Sequence, residues 1–116
     1  MEDLEHKERF GISLTDLLSA PTVFRADLFA GRTVLVSGSG SGIGQAIAVL
    51  FARLGAGVML CGRRPEPLQE TATAIAQAGG DVDFLPMTIR DPDQVAQLMD
   101  RVWERFGNLD VLINNA

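Results

Sequence analysis

Residues Gly38-Ser39-Gly40-Ser41-Gly42-Ile43-Gly44 join a short apolar run, Thr33 to Ser37, directly to an apolar helical pattern beginning near Ile43. A strand that passes into a helix through so little side chain turns tightly and leaves its backbone bare. Glycines at 38, 42 and 44 spell GxxxGxG, and every frame of the alternative GxGxxG fails because positions 43, 45 and 47 are Ile, Gln and Ile. Gly38 suits the tight turn out of the strand. Gly42 lets backbone N–H groups come close to a ligand, and Gly44 lets the new helix pack on the sheet with no side chain between them. The helix N-terminus then points unpaired N–H groups and the positive end of its dipole at an anion, as the diphosphate of a dinucleotide requires. Ser39 and Ser41 add hydroxyl donors, and Ile43 belongs to the same binding stretch. A flexible Gly/Ser linker would have this composition too, but not a strand and a helix of these lengths on either side.

With 116 residues, 47% of them apolar, the chain suits one globular domain with a real core. Its net charge of −5 supplies no basic face to displace counterions, which argues against nucleic acid and against an anionic membrane as partners. No apolar run approaches a membrane span, and the acidic N-terminus lacks the features of a signal peptide, so a cytoplasmic location is the default. Cys61 is the only cysteine, which leaves neither a disulfide framework nor a cysteine-based metal cluster, and no metal site is expected. Cys61 reads as a small packing residue at a strand end. His6, the lone histidine, sits in an acidic leader and reads as a solvated surface residue.

Residues 1–30 form a lead-in with Leu14, Leu17 and Leu18 at helical spacing before Pro21. A weak helix or arm and a solvated leader both fit it. From 31 to 116 the pattern is regular: strand 33–37, helix 42–54, strand 57–61, helix 66–78, strand 82–86, helix 92–106 and strand 109–113. Gly55, Gly79 and Gly107 each follow a helical run, and Pro65 and Pro92 stand at helix starts. Asp91 with Gln94 predicts a capping box. Val95, Leu98, Met99, Val102, Trp103 and Phe106 form a helical stripe that predicts core, with Trp103 as a packing residue. The strands read as continuous apolar runs, as in a parallel sheet covered on both faces. Right-handed crossovers then predict an α/β fold, a doubly wound parallel sheet of Rossmann type in the order 3-2-1-4, cut short after its fourth strand.

About twenty residues past the glycines, an NAD site carries an acid that accepts hydrogen bonds from the adenosine ribose. Here the chain reads Cys61-Gly62-Arg63-Arg64, with no carboxylate before Glu66. Two planar, permanently charged guanidiniums suit a ribose 2′-phosphate, and their position at a helix N-terminus opposes the dipole unless an anion joins them. The expected cofactor is therefore NADP(H) rather than NAD(H).

Asn114-Asn115-Ala116 follow the fourth strand. Together with Ser37 to Gly44 they make the chain resemble the classical short-chain dehydrogenase/reductase family, whose TGxxxGxG and NNAG motifs fall at these positions, with Ser37 in place of the usual Thr. The resemblance covers about residues 30–116. It implies that Asn114 and Asn115 brace the central strands, and that Asn115 and Ala116 border the adenosine ribose. After the third strand the family often has an Asp that contacts the adenine amino group; Thr88-Ile89-Arg90 stands there, leaving the Thr88 hydroxyl or nearby backbone as the substitute. The segments Val23-Phe24, Leu28 to Gly31, the arginine pair and Ile89-Arg90 resemble the enoyl- and dienoyl-CoA reductase branch.

The family's catalytic Ser and Tyr-x-x-x-Lys have no counterpart here, since the chain contains no tyrosine, so no catalytic residue is expected in it. The resemblance implies an oxidoreductase that moves a hydride to or from a carbonyl/alcohol or enoyl-CoA substrate, a small molecule or an acyl-CoA. It would be a homo-oligomer at full length, with the present 116 residues inactive on their own. The alternative is a non-catalytic NADP(H)-binding module whose open sheet edge docks another chain.

Overall fold

Valine, leucine and isoleucine dominate the strands, and the element that places them is a four-stranded parallel sheet. The computed structural model describes residues 12–115, so His6 and Ala116 lie outside the described residues. The order of elements is α1 (Leu14–Ser19), β1 (Thr33–Ser37), α2 (Gly42–Arg53), β2 (Gly57–Gly62), α3 (Pro65–Gln77), β3 (Asp81–Pro86), α4 (Pro92–Phe106) and β4 (Val111–Ile113). The sheet runs β3-β2-β1-β4, as the alternation of strands and helices predicts. Val34 in β1 sits opposite Val58 in β2 and Val111 in β4.

The period-two alternation of strand side chains divides the core in two. On one face Val34, Val36, Val58 and Leu60 pack with Ala48 of α2 and with Leu68 and Ala72 of α3. On the other, Leu35, Met59 and Cys61 meet Leu98 and Val102 of α4. Full burial of each large aliphatic side chain here contributes roughly 1.5–3 kcal/mol. Ion pairs tie α4 to β3: Arg101 meets Asp83 through Nε at 2.7 Å and Nη2 at 3.1 Å, and Arg105 pairs with Asp81.

The punctuating residues act as their chemistry predicts. Gly55, Gly79 and Gly107 all have positive φ, and Gly107 closes α4 at φ +78°. Pro65 and Pro92 begin α3 and α4. In the lead-in, Ser13 caps α1 by accepting the Asp16 N–H, and Arg53 of α2 donates to the Leu17 and Ala20 carbonyls at 2.9 and 2.6 Å. Residues 14–19 are thus a helix whose last carbonyls are satisfied by a neighbouring cation.

Several expectations are corrected. Trp103 is 52% exposed, because α4 turns Leu98 and Val102 toward the sheet and Trp103 away from it. β4 begins at Val111 rather than 109, since Asp110 Oδ2 takes the Thr33 N–H at 2.8 Å before the ladder starts. Coverage on both faces fails at β4, where Leu112 is 62% exposed. The Asp91/Gln94 capping box does not close in its backbone form: Asp91 accepts the Asp93 N–H, while Gln94 Oε1 accepts the Thr88 N–H at 2.8 Å rather than the Asp91 N–H, and Gln94 Nε2 donates to Asp91 Oδ2 at 3.1 Å.

Gly57 opens β2 against the ring of Phe106, and a Cβ there would stand 2.8 Å from two ring carbons. Gly57→Ala should therefore destabilise the protein by about 1–3 kcal/mol through overpacking. Urea denaturation measures it, and an unchanged midpoint would mean the Phe106 ring moves aside freely.

Candidate functional site

In a parallel sheet the loops after the strand C-termini converge on one edge, and ligands of open α/β sheets lie there. Residues 38–41, 63–64, 87–91 and 114–115 occupy that edge. Gly38 and Gly42 adopt φ +63° and +61°, left-handed conformations that suit glycine. Gly44 is buried at the start of α2, and a Cβ on it would lie 2.1 Å from the Gly38 carbonyl oxygen and 2.5 Å from Asn115 Nδ2. The missing side chain lets the helix close on the turn that precedes it.

Hydrogen bonds hold the turn from three sides. Asn115 donates from Nδ2 to the Gly38 carbonyl at 3.2 Å, and its own N–H donates to Ser37 Oγ at 2.9 Å. Ser37 Oγ in turn donates to the Ile113 carbonyl at 3.3 Å, which locks the ends of β1 and β4 together. Ser39 is fully buried and exchanges two bonds with Cys61, accepting its N–H at 3.1 Å and donating to its carbonyl at 3.4 Å. The hydroxyl expected to be a ligand donor is thus a brace between the glycine turn and β2. Gln45 Nε2 donates to the Gly40 carbonyl at 3.4 Å and to Thr71 Oγ1 at 2.9 Å.

Two clefts open beside this turn and share Gly38, Gly62 and Arg63. One, of about 420 Å³, extends over Cys61, Met87, Thr88, Ile89 and Arg90 to Asn115. The other, of about 450 Å³, runs from Gly40 and Ser41 to Arg64, Pro67 and Leu68. Neither is lined by a carboxylate. Ser41 precedes α2 without capping it through its side chain, and the first turn of α2 holds no acid, so neither supplies an anion to the positive helix end; Glu70 of α3 lines a separate groove with Ser41 and Gly42.

The arginines divide cleanly. Arg25 pairs with Asp27, Arg32 with Asp110, Arg101 with Asp83 and Arg105 with Asp81, while Arg53 donates to carbonyls. Arg63, Arg64 and Arg90 have no ion pair or side-chain hydrogen bond with another described residue, and all three line these clefts.

Of the residues singled out in the sequence, Gly38, Ser41, Arg63, Arg64, Thr88, Ile89 and Asn115 line one cleft or the other. Gly44 and Ser39 lie behind the turn, and Asn114 is exposed beside it. Ile43 is not brought to the clefts: it is 73% exposed and, with Gly42, lines a separate groove against Leu14 and Leu17 of α1. The sequence gives no sign of the role of Gly40, where a Cβ would stand 2.9 Å from Pro67 Cβ, and it marks Gln94 only as a capping residue, not as the holder of the Thr88 N–H. No local pattern marks either role, because both partners belong to other elements.

Cys61 is buried beneath the first cleft, and removal from water pushes its thiol up to about 11. It packs; it is not a poised nucleophile.

Sequence and structure comparisons agree on the lineage. The family model for short chain dehydrogenases matches residues 32–116. A Caenorhabditis elegans protein named as a probable 2,4-dienoyl-CoA reductase is 43% identical over 96 residues, spanning 81% of this chain and 31% of its own length. The chain thus spans about a third of the length of such curated relatives. A citronellol catabolism dehydrogenase of Pseudomonas aeruginosa PAO1 superposes with a TM-score of 0.79 at 41% identity, over 82% of this chain and 40% of that one. L-sorbose reductase from Gluconobacter frateurii, solved with NADPH and L-sorbose, gives 0.74 at 33% identity, over 79% and 35%.

Burial of the Cys61 thiol predicts slow alkylation. With the folded value near 11 against 9.0 unperturbed, the thiolate at pH 8 should be about 100-fold scarcer than in the unfolded chain. Iodoacetamide labelling with and without denaturant measures this, and equal rates would contradict the burial. The unfolded state gives up the proton first, so this contribution to stability is complete below pH 9 and declines as pH rises toward 11.

Proposed function

The chain belongs to the short-chain dehydrogenase family, and from that premise we propose that it forms the adenine-nucleotide side of the cofactor site of an NADP(H)-dependent oxidoreductase. When bound, the nicotinamide gives or takes a hydride, and the whole protein's substrate is a carbonyl/alcohol pair or the conjugated alkene of an acyl-CoA. The dienoyl-CoA reductase name of a 43% identical relative supports the second substrate class.

The residues present fit such a group. The absence of a Cβ at Gly44 lets α2 close on the turn that carries the cleft-lining Gly38 and Ser41, and the first turn of α2, without a side-chain cap, stands beside it. Gly38, Ser41, Gly42 and the N–H groups of α2 hold the diphosphate, with Ser39 and Gly44 fixing the turn that presents them. Arg63 and Arg64 receive the ribose 2′-phosphate, and Thr88, Ile89, Asn115 and Ala116 border the adenosine. These residues bind and orient, and we assign none of them proton transfer. The reading extends to a homo-oligomer at natural length, as the family resemblance implies, and to the cytoplasmic location taken as the default from the sequence.

The observation that carries the choice of cofactor is the arginine pair. Both guanidiniums line a cleft without a carboxylate, and neither has a described partner, whereas Arg25, Arg32, Arg101 and Arg105 each pair with an aspartate. An acid placed there would repel a dianionic phosphate, whereas a planar fork donates to it in pairs.

Replacing Arg63 by Asp and Arg64 by Ala in one variant should weaken NADPH binding by about 100-fold or more while sparing or improving NADH. Titration of both nucleotides by isothermal calorimetry tests this. Unchanged NADPH affinity would remove the arginines from the phosphate site.

A further inference from the structure

The assignments above leave Arg90 without a role, although it is as unpartnered as Arg63 and Arg64 and lines the first cleft. Resting on the dinucleotide reading, we propose that Arg90 recognises the base, and that this cleft accepts a 6-oxopurine as readily as adenine.

The placement of the arginines separates their tasks. Arg64 lines only the cleft beside Gly40, Ser41 and Pro67, Arg90 only the cleft beside Met87 and Thr88, and Arg63 lines both. A ribose phosphate held between Arg63 and Arg64 leaves the base to the first cleft, whose far rim is Thr88-Ile89-Arg90. A guanidinium there offers a flat cationic face to stack on a purine and an N–H fork for acceptors on the purine edge.

Adenine presents an amino donor at its 6-position, which needs an acceptor. No carboxylate lines the cleft. Thr88 Oγ1 already accepts the Arg90 N–H at 3.3 Å, and Gln94 Oε1 the Thr88 N–H at 2.8 Å. The nearest acid, Asp91, is engaged by Gln94 Nε2 at 3.1 Å and by the Asp93 N–H at 2.9 Å. The acceptors that remain, the second lone pair of Thr88 Oγ1, the Asn115 amide and backbone carbonyls, are neutral and weaker than a carboxylate. Hypoxanthine carries a carbonyl oxygen in place of the amino group, and a guanidinium donates to it. The same bonds that occupy Thr88, Asp91 and Gln94 fix the backbone beneath Arg90, so its position is set before any ligand arrives.

The test uses the protein at its natural length and calorimetric titration of NADPH and its hypoxanthine analogue. The two should bind within about threefold of each other, since neither base meets a charged acceptor. Arg90→Ala should weaken both by about five- to tenfold, with Arg90→Lys recovering only part because the ammonium lacks the planar fork. Thr88→Asp, which puts a carboxylate on the rim, should create about a tenfold preference for adenine. NADPH binding with the analogue weaker by about tenfold or more, or an Arg90→Ala variant with unchanged NADPH affinity, would overturn this inference and leave the functional reading standing. Failure of both nucleotides to bind would overturn the functional reading and this inference with it.

Discussion

A Cβ on residue 44 would come within 2.1 Å of the Gly38 carbonyl and 2.5 Å of the Asn115 amide nitrogen, and the geometry of the cleft edge follows from its absence. Only with that contact open can α2 start directly beneath the end of β1. Asn115 bridges to the turn from β4, and Ser39 bridges to β2. Three neighbouring strands are thereby clamped to one loop. The cost of the left-handed turns at Gly38 and Gly42 falls on residues without side chains, where it is least.

Charge is distributed to the same end. The net charge is −5, yet the acids Asp81, Asp83 and Asp110 are paired near the sheet's other end or its edge. The clefts at the C-terminal edge keep three guanidiniums and a helix N-terminus with no carboxylate lining them. Positive side chains are therefore gathered at the cleft edge in a chain whose net charge is negative.

Much of this was legible in the residue order. Sheet order follows from strands alternating with helices and from right-handed crossovers, and the glycines and prolines at helix ends act through backbone conformation, a local property. Arg63 and Arg64 were legible because they immediately follow a strand whose end is marked by the glycine spacing. Properties that depend on a distant partner were not. Trp103 shares the spacing of buried Leu98 and Val102 but falls on the rim of the stripe, and Ser39 resembles Ser41 until Cys61 is seen beside it. Gly40 answers to Pro67 and Gln94 to Thr88, pairings that only the assembled loops create. The lead-in helix likewise depends on Arg53, more than thirty residues away along the chain.

The most direct test of the account is the affinity of the protein for adenosine 2′,5′-bisphosphate compared with 5′-AMP, measured by calorimetry at low and moderate salt. The two ligands differ only in the phosphate that the unpartnered arginines are held to receive. The account predicts that the bisphosphate binds at least about tenfold more tightly and that its advantage shrinks as salt is added. Equal affinity at low salt would contradict it.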